Sequence, residues 1–97
     1  MTDHEDRKTQ SGTAVLVRYW ASVRAAAGRP EDLLEVPGPL MLDQVLARVI
    51  DLHPGAERLV GVCSVLLGDR PVRSLDPGSV QVRPGDVVEL LPPFAGG

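Results

Sequence analysis

The sequence is poor in aromatics, cysteine and lysine, and each shortage narrows what the chain can do. Tyr19, Trp20 and Phe94 are the only aromatic side chains in 97 residues, so the core has to be assembled from Val, Leu, Ile and Ala. Cys63 is the only cysteine. An internal disulfide is therefore excluded, and no second Cys or His stands beside it at metal-ligand spacing. Its place inside the apolar run Leu59 to Leu67 predicts a buried core thiol rather than a nucleophile. Lys8 is the only lysine among 10 basic residues, and the net charge is −3. With no basic stripe to meet a phosphate backbone, nucleic acid is excluded as a partner. No apolar run approaches the roughly 18 residues of a membrane helix, and the first residues lack the apolar stretch of a secretory signal. The expectation is a cytoplasmic protein without membrane association.

What is present is ordinary globular composition, 43% hydrophobic and 24% charged. The length suits one domain, since single domains usually run to about 100 to 200 residues. A domain this small buries roughly 60% of the surface its unfolded chain exposes, which leaves little room for a large internal cavity. Residues 1–13 are almost wholly polar and cannot bury enough apolar area to offset their ordering entropy. They read as a disordered leader. His4 stands there beside Asp3, Glu5 and Asp6, a set better read as a solvated tail than as a metal site.

From Ala14 to Trp20 the chain is β-branched, aromatic and apolar. This predicts a strand with Val15, Val17 and Tyr19 on one face and Leu16, Arg18 and Trp20 on the other, wetter one. Ser22 to Ala27, stopped by Gly28, predicts a short helical turn, and Asp32 to Val36 a second strand ended by Pro37-Gly38-Pro39. The clearest periodicity lies at Leu42, Val45, Leu46, Val49 and Ile50, which predicts an amphipathic helix from Leu42 to His53, stopped by Pro54-Gly55. It lacks a capping Ser, Thr, Asn or Asp, with Met41 in that place. His53 is expected as a favourable cation at the helix end or an exposed loop residue, not a catalytic base. Val60 to Leu67 predicts a third strand, Gly68 to Pro71 a turn, and Val72 with its neighbours a short fourth strand. The last strand is expected from Asp86 to Leu91, with Val88 and Leu90 opposed to Val87, Glu89 and Leu91. Strands with one main helix on a sheet face make an α+β domain over residues 14–92.

The ending Pro92-Pro93-Phe94-Ala95-Gly96-Gly97 is the feature that a purely structural reading does not absorb. Two prolines favour an extended exit from the sheet, so the last four residues, a tail over 93–97 with Pro93, can project about 13 Å. Two terminal glycines leave the α-carboxylate slim enough to thread a narrow partner site and open at its carbonyl. Such a group suits activation as an acyl adenylate followed by attack of sulfur or an amine. No phosphate-cradling glycine loop is present, so activation has to come from another enzyme.

The opening strand running into Trp20-Ala21, then Arg24 and Gly28 in the spacing A-x-x-R-x-x-x-G, the turn Pro84-Gly85-Asp86 and the ending PP-F-A-G-G together resemble the small subunits of molybdopterin synthase. These are ubiquitin-like sulfur carriers, and the resemblance covers about residues 14–97. Sulfur carriers of thiamine biosynthesis are similar but usually lack the double proline. The resemblance implies a β-grasp fold, a mixed sheet of four to five strands with the first and last as parallel central neighbours. It implies adenylation of Gly97 by an E1-like adenylyltransferase, with ATP used by that partner and no cofactor or metal bound here. Conversion to a thiocarboxylate would follow, then donation of the sulfur to a cyclic pyranopterin precursor within the large synthase subunit. A carrier for thiamine or cysteine biosynthesis, a ubiquitin-like modifier joined to target lysines, and a plain interaction module are the other readings. Phe94, Ala95 and Gly96, with Pro93, would line contacts in the partner's tunnel. Trp20 and Leu91, ending the two central strands, either form a docking patch beside the tail, extended by Pro71, or Trp20 covers the end of the core. Leu66-Leu67-Gly68-Asp69 and Met41 depart from the usual pattern of these subunits, and residues 1–13 have no counterpart in the compact members.

Overall fold

The structure is a computed structural model that describes residues 13–72 and 75–93. The expected leader therefore lies outside the described residues up to position 12, and so do Phe94, Ala95, Gly96 and Gly97 of the tail.

Strand β1 (Ala14–Tyr19) forms where the sequence alternates, and Val15, Val17 and Tyr19 are buried while Arg18 is exposed. Helix α1 (Ala21–Ala27) follows at once. It ends at Gly28, whose φ of 79° is a left-handed conformation that glycine adopts without cost, and whose N–H donates to the Arg24 carbonyl at 2.9 Å. The A-x-x-R-x-x-x-G spacing is thus the length of a helix with its stop. Strand β2 (Glu31–Glu35) returns antiparallel to β1, with Leu34 opposite Val15. It starts and ends one residue before the expected Asp32–Val36. Its outward side is blunted by two arginines, because the Glu31 carbonyl accepts from Arg29 Nε at 3.0 Å and the Glu35 carbonyl from Arg48 Nη1 at 2.8 Å.

Strand β3 (Leu40–Met41) leads directly into helix α2 (Leu42–Leu52), one residue shorter than expected. Leu42, Val45 and Val49 are buried against the sheet, each contributing roughly 1.5–3 kcal/mol over the exposed state. With no capping side chain at Met41, the helix start is secured from inside. The Met41 N–H donates to Gln44 Oε1 at 2.8 Å. A 3₁₀ turn (Pro54–Ala56) then runs into helix α3 (Glu57–Val62).

Here the structure corrects the sequence reading. Val60 to Val62 were expected at the start of a strand, yet they close a helix, and the strand β4 is only Ser64–Leu67. The physical reason is a helical stripe overlooked within an apolar run: Ala56, Val60 and Cys63 are buried at spacings of four and three, while Gly61 and Val62 face outward. Cys63 is a core thiol as expected, 0% exposed, with Sγ donating to the Val60 carbonyl.

After a turn at Gly68-Asp69, strand β5 (Arg70–Pro71) pairs with β4, so the short fourth strand precedes Val72 rather than including it. A second 3₁₀ turn (Pro77–Ser79) precedes β6 (Gln81–Val82), which pairs only with β3. Strand β7 (Val87–Leu91) is the last described element. The main sheet runs β2-β1-β7-β4-β5, with β1 and β7 parallel. This is the expected β-grasp arrangement. Among the described residues the main helix α2 and the shorter α1 and α3 cover its inner face, where Val15, Val17, Val23, Val45, Val49, Val65, Val88 and Leu90 form one continuous core.

Candidate functional site

The site is the end of the two central strands and the sheet face left uncovered by helices. Register fixes its layout. Glu31 on β2, Arg18 on β1, Glu89 on β7, Leu66 on β4 and Pro71 on β5 stand opposite one another in one row across all five strands. A neighbouring row holds Leu33, Leu16 and Val87. Toward the other end of β7, Leu91 pairs with Ser64. None of these residues belongs to the core, and Glu31, Arg18, Leu33 and Pro71 are exposed.

At the top of this face the Trp20 N–H donates to the Leu90 carbonyl at 3.1 Å. Because Tyr19 pairs with Leu90, the register carries Trp20 to the level of Leu91. The indole is 37% exposed and is not part of the core. Instead the Arg18 guanidinium lies over its ring at 5.2 Å from the centroid, a cation–π geometry. Arg18 in turn stands 3.7 Å from Glu31 and 3.6 Å from Glu89. Of the two expectations for Trp20, exposure beside the departing chain is the one realised.

The chain continues from Leu91 through Pro92 and Pro93, the last described residues, with Pro93 exposed. Two parallel strands tied at their ends thus carry the chain into Pro92 and Pro93 next to an aromatic and an aliphatic side chain.

A sequence profile of the ThiS family matches residues 17–97. The chain belongs to the ThiS family. It is 32% identical over 88 residues to the molybdopterin synthase sulfur carrier subunit of Aspergillus niger, covering 90% of this chain and 98% of that protein. It is 30% identical over 83 residues to the molybdopterin synthase sulfur carrier subunit of Chlamydomonas reinhardtii, covering 86% of this chain and 98% of that one. Among solved structures, the Haloferax volcanii HVO 2177 protein is 27% identical with a TM-score of 0.73, covering 88% of this chain and 87% of that one. The fold is also shared, at 24% identity and a TM-score of 0.61, by a chain of the Helicobacter pylori complex of subunits 1 and 2 of molybdopterin-converting factor, over 87% of this chain and 99% of that one.

Within this ThiS-family chain the expected site residues divide three ways. Trp20 and Leu91 come together at the strand ends. Pro71 shares their face but stands two strands from β7 with Leu66 between, about 10 Å away at the usual strand spacing. Phe94, Ala95, Gly96 and Gly97 lie outside the described residues. Arg24, left undecided by sequence, is exposed on α1, its carbonyl holding the Gly28 cap.

Two features of this pole escaped the sequence reading. One is the charge row around Arg18, whose partners sit on neighbouring strands. The other is a polar cluster on the helix side. His53, at the end of α2, is half-buried rather than an exposed loop residue: its Nε2 stands 2.6 Å from Asp32 Oδ2, which also accepts from the Tyr19 hydroxyl at 2.7 Å. Arg29 adds an ion pair to the other oxygen at 3.3 Å, and the Tyr19 and His53 rings meet edge to face. Burial alone would raise Asp32, but the bonds from His53 and Tyr19 and the charge of Arg29 outweigh it and hold the carboxyl below its ordinary range. Burial, then the bond to Asp32, pushes the Tyr19 phenol well above its ordinary value. The cluster fastens the end of β1, the start of β2 and the end of α2. Its only advance signal was that Tyr19, Asp32 and His53 each fall at an element end.

Among the described residues no group of three His, Cys, Asp or Glu is placed to hold a metal ion. No described helix is long and apolar enough to cross a membrane.

Proposed function

We propose that this chain is the sulfur carrier subunit of a cytoplasmic molybdopterin synthase, loaded at the α-carboxylate of Gly97. The observation that carries the reading is the exit of the chain from the central strand β7, beside Trp20 and Leu91, into the ending Pro92-Pro93-Phe94-Ala95-Gly96-Gly97. The similarity to two molybdopterin synthase sulfur carrier subunits over most of the chain supports it.

The chemistry follows from what a carboxylate can do. With a pKa near 3.5 it is ionised at neutral pH and inert to sulfur nucleophiles. An E1-like activating enzyme brings ATP, the carboxylate oxygen attacks the α-phosphorus, and pyrophosphate leaves. Sulfide-level sulfur (HS⁻) from a donor then attacks the acyl carbon of the adenylate, expels AMP and loses its proton, leaving a thiocarboxylate. In the large synthase subunit the terminal sulfur forms a C–S bond to the cyclic pyranopterin precursor as a carbon–oxygen bond of that precursor breaks, and water then cleaves the acyl C–S bond, leaving the sulfur on the product and returning the original carboxylate.

This chain supplies reach and shape. Phe94, Ala95 and Gly96 pass through the partner's tunnel behind Pro93, and partner Lys or Arg groups meet the terminal charge. Trp20 and Leu91, with Pro71 at the margin, seat the rigid domain on the partner. No cofactor is held by the carrier itself.

Intact-mass spectrometry of the untagged chain from its own cells tests the reading. Replacement of one oxygen by sulfur, localised to Gly97, is the expected result. Deletion of Gly97 abolishes that species with the fold intact, and synthase activity that survives the deletion overturns the mechanism. Lysine-linked adducts without the sulfur species identify a protein modifier instead.

A further inference from the structure

We propose that Arg18 is the positioning residue of the docking face: held between Glu31 and Glu89, it fixes the Trp20 indole beside the point where the chain leaves β7. The proposal rests on the docking role given to Trp20 above. Arg18 sits in the middle of the exposed row, with carboxylates opposite it on both neighbouring strands at 3.7 and 3.6 Å. At these separations the pairs are ionic contacts without short hydrogen bonds, and exposed pairs of this kind stabilise a fold little. Their geometric effect is larger. Two flanking charges keep the guanidinium from swinging to either side, and its remaining direction is over the Trp20 ring, 5.2 Å from the centroid.

The indole needs such a hold. It lies at the junction of β1 and α1, outside the core, and is 37% exposed. Left free, it would sample several rotamers and lose them on docking, a cost that preorganisation removes. The same arrangement answers what the partner has to bring. Arg18 is already matched by Glu31 and Glu89, so covering it requires no anion from the partner. The carrier thus presents a fixed aromatic anchor framed by charges that satisfy one another, which fits an apolar partner surface whose opposing charge, if any, is a single cation for the second carboxylate.

Trp20 is the only tryptophan in the chain, so its mobility can be read directly. Time-resolved fluorescence anisotropy is measured on the full chain and on Arg18→Met and Arg18→Lys, together with thermal unfolding and the Kd for purified large subunit of molybdopterin synthase. In Arg18→Met the fast depolarising component of Trp20 is expected to grow about twofold and Kd to weaken about threefold to fivefold, the scale of an exposed cation–π contact. Tm is expected to stay within about 2 °C, and Arg18→Lys to recover part of both effects. Unchanged depolarisation in Arg18→Met overturns the proposal, and so does weakened binding with unchanged depolarisation, which makes Arg18 a direct contact. If the wild-type chain does not bind the large subunit, the docking reading fails, while the anisotropy comparison still decides whether Arg18 holds the indole.

Discussion

Trp20 donates its backbone N–H to the carbonyl of Leu90 at 3.1 Å, and that bond ties the residue just after β1 to the last stretch of β7. The two strands are parallel and central, so the point where the chain departs for its C-terminal residues is among the best-supported places in the domain.

If Trp20 and Leu91 seat the domain on its partner, Trp20→Ala weakens binding to the large synthase subunit by about 2 kcal/mol, roughly thirtyfold, as central aromatic anchors do. Because the indole is outside the core, stability changes by no more than about 1 kcal/mol. Titration calorimetry on the pair, with urea unfolding of the variant alone, checks both. Unchanged affinity removes Trp20 from the interface.

Asp32 gives the fold an acid limb. Its carboxyl is held below its ordinary range when folded, so the folded state binds its proton less readily than the unfolded chain. The associated stability is complete above the unfolded value of about 3.9 and is lost as pH falls through the folded value. Asp32→Asn leaves Tyr19 and His53 with a poorer acceptor and is expected to cost about 1–3 kcal/mol at neutral pH. It also flattens the fall in stability below about pH 4. Urea midpoints from pH 3 to 7 decide the matter, and parallel curves for the two proteins remove Asp32 from the acid response.

How far the sequence could be read depends on where each signal resides. The alternation of Val15, Val17 and Tyr19 against Leu16 and Arg18, and the helical stripe Leu42, Val45 and Val49, are local and strong, so β1 and α2 came out within a residue. Strands β3 and β6, two residues each, are too short to carry a period and exist through their pairing. His53 could not be placed because its partner Asp32 is 21 residues away, brought near by the β2 return. The signal of the C-terminal ending lies in its residue types, prolines and glycines, and Trp20 and Leu91 lie at strand ends on the uncovered sheet face.

Ala21 carries a measurable strain. Its φ is 50°, a positive value otherwise found only at Gly28, Gly68 and Gly85 among the described residues. A Cβ in the left-handed region costs about 1–2 kcal/mol, and the sharp turn from β1 into α1 imposes it directly after Trp20. Ala21→Gly relieves the clash but enlarges the unfolded ensemble, so its net effect lies between zero and about 1 kcal/mol of stabilisation. Ala21→Val adds branching at Cβ and is expected to lose about 2 kcal/mol. Chemical denaturation of the pair in that order confirms the strained turn, and equal stability of the two variants refutes it.

Gly61 offers a direct test of the segment that the sequence misassigned. In helix α3 a side chain at this position points away from the core, and a Cβ built there meets nothing within 4 Å. Alanine exceeds glycine in helix propensity by about 0.8–1 kcal/mol, and in a helix Gly61→Ala should return most of that as stability. In a strand the same change would bring no such gain, since alanine is itself a poor strand former. Gly61→Val separates the two geometries further, because the branched residue is favoured by about the same margin in strands and disfavoured in helices. Urea unfolding is therefore expected to rank Ala above Gly, with Val below Ala. A ranking with Val highest would assign the segment to the sheet after all.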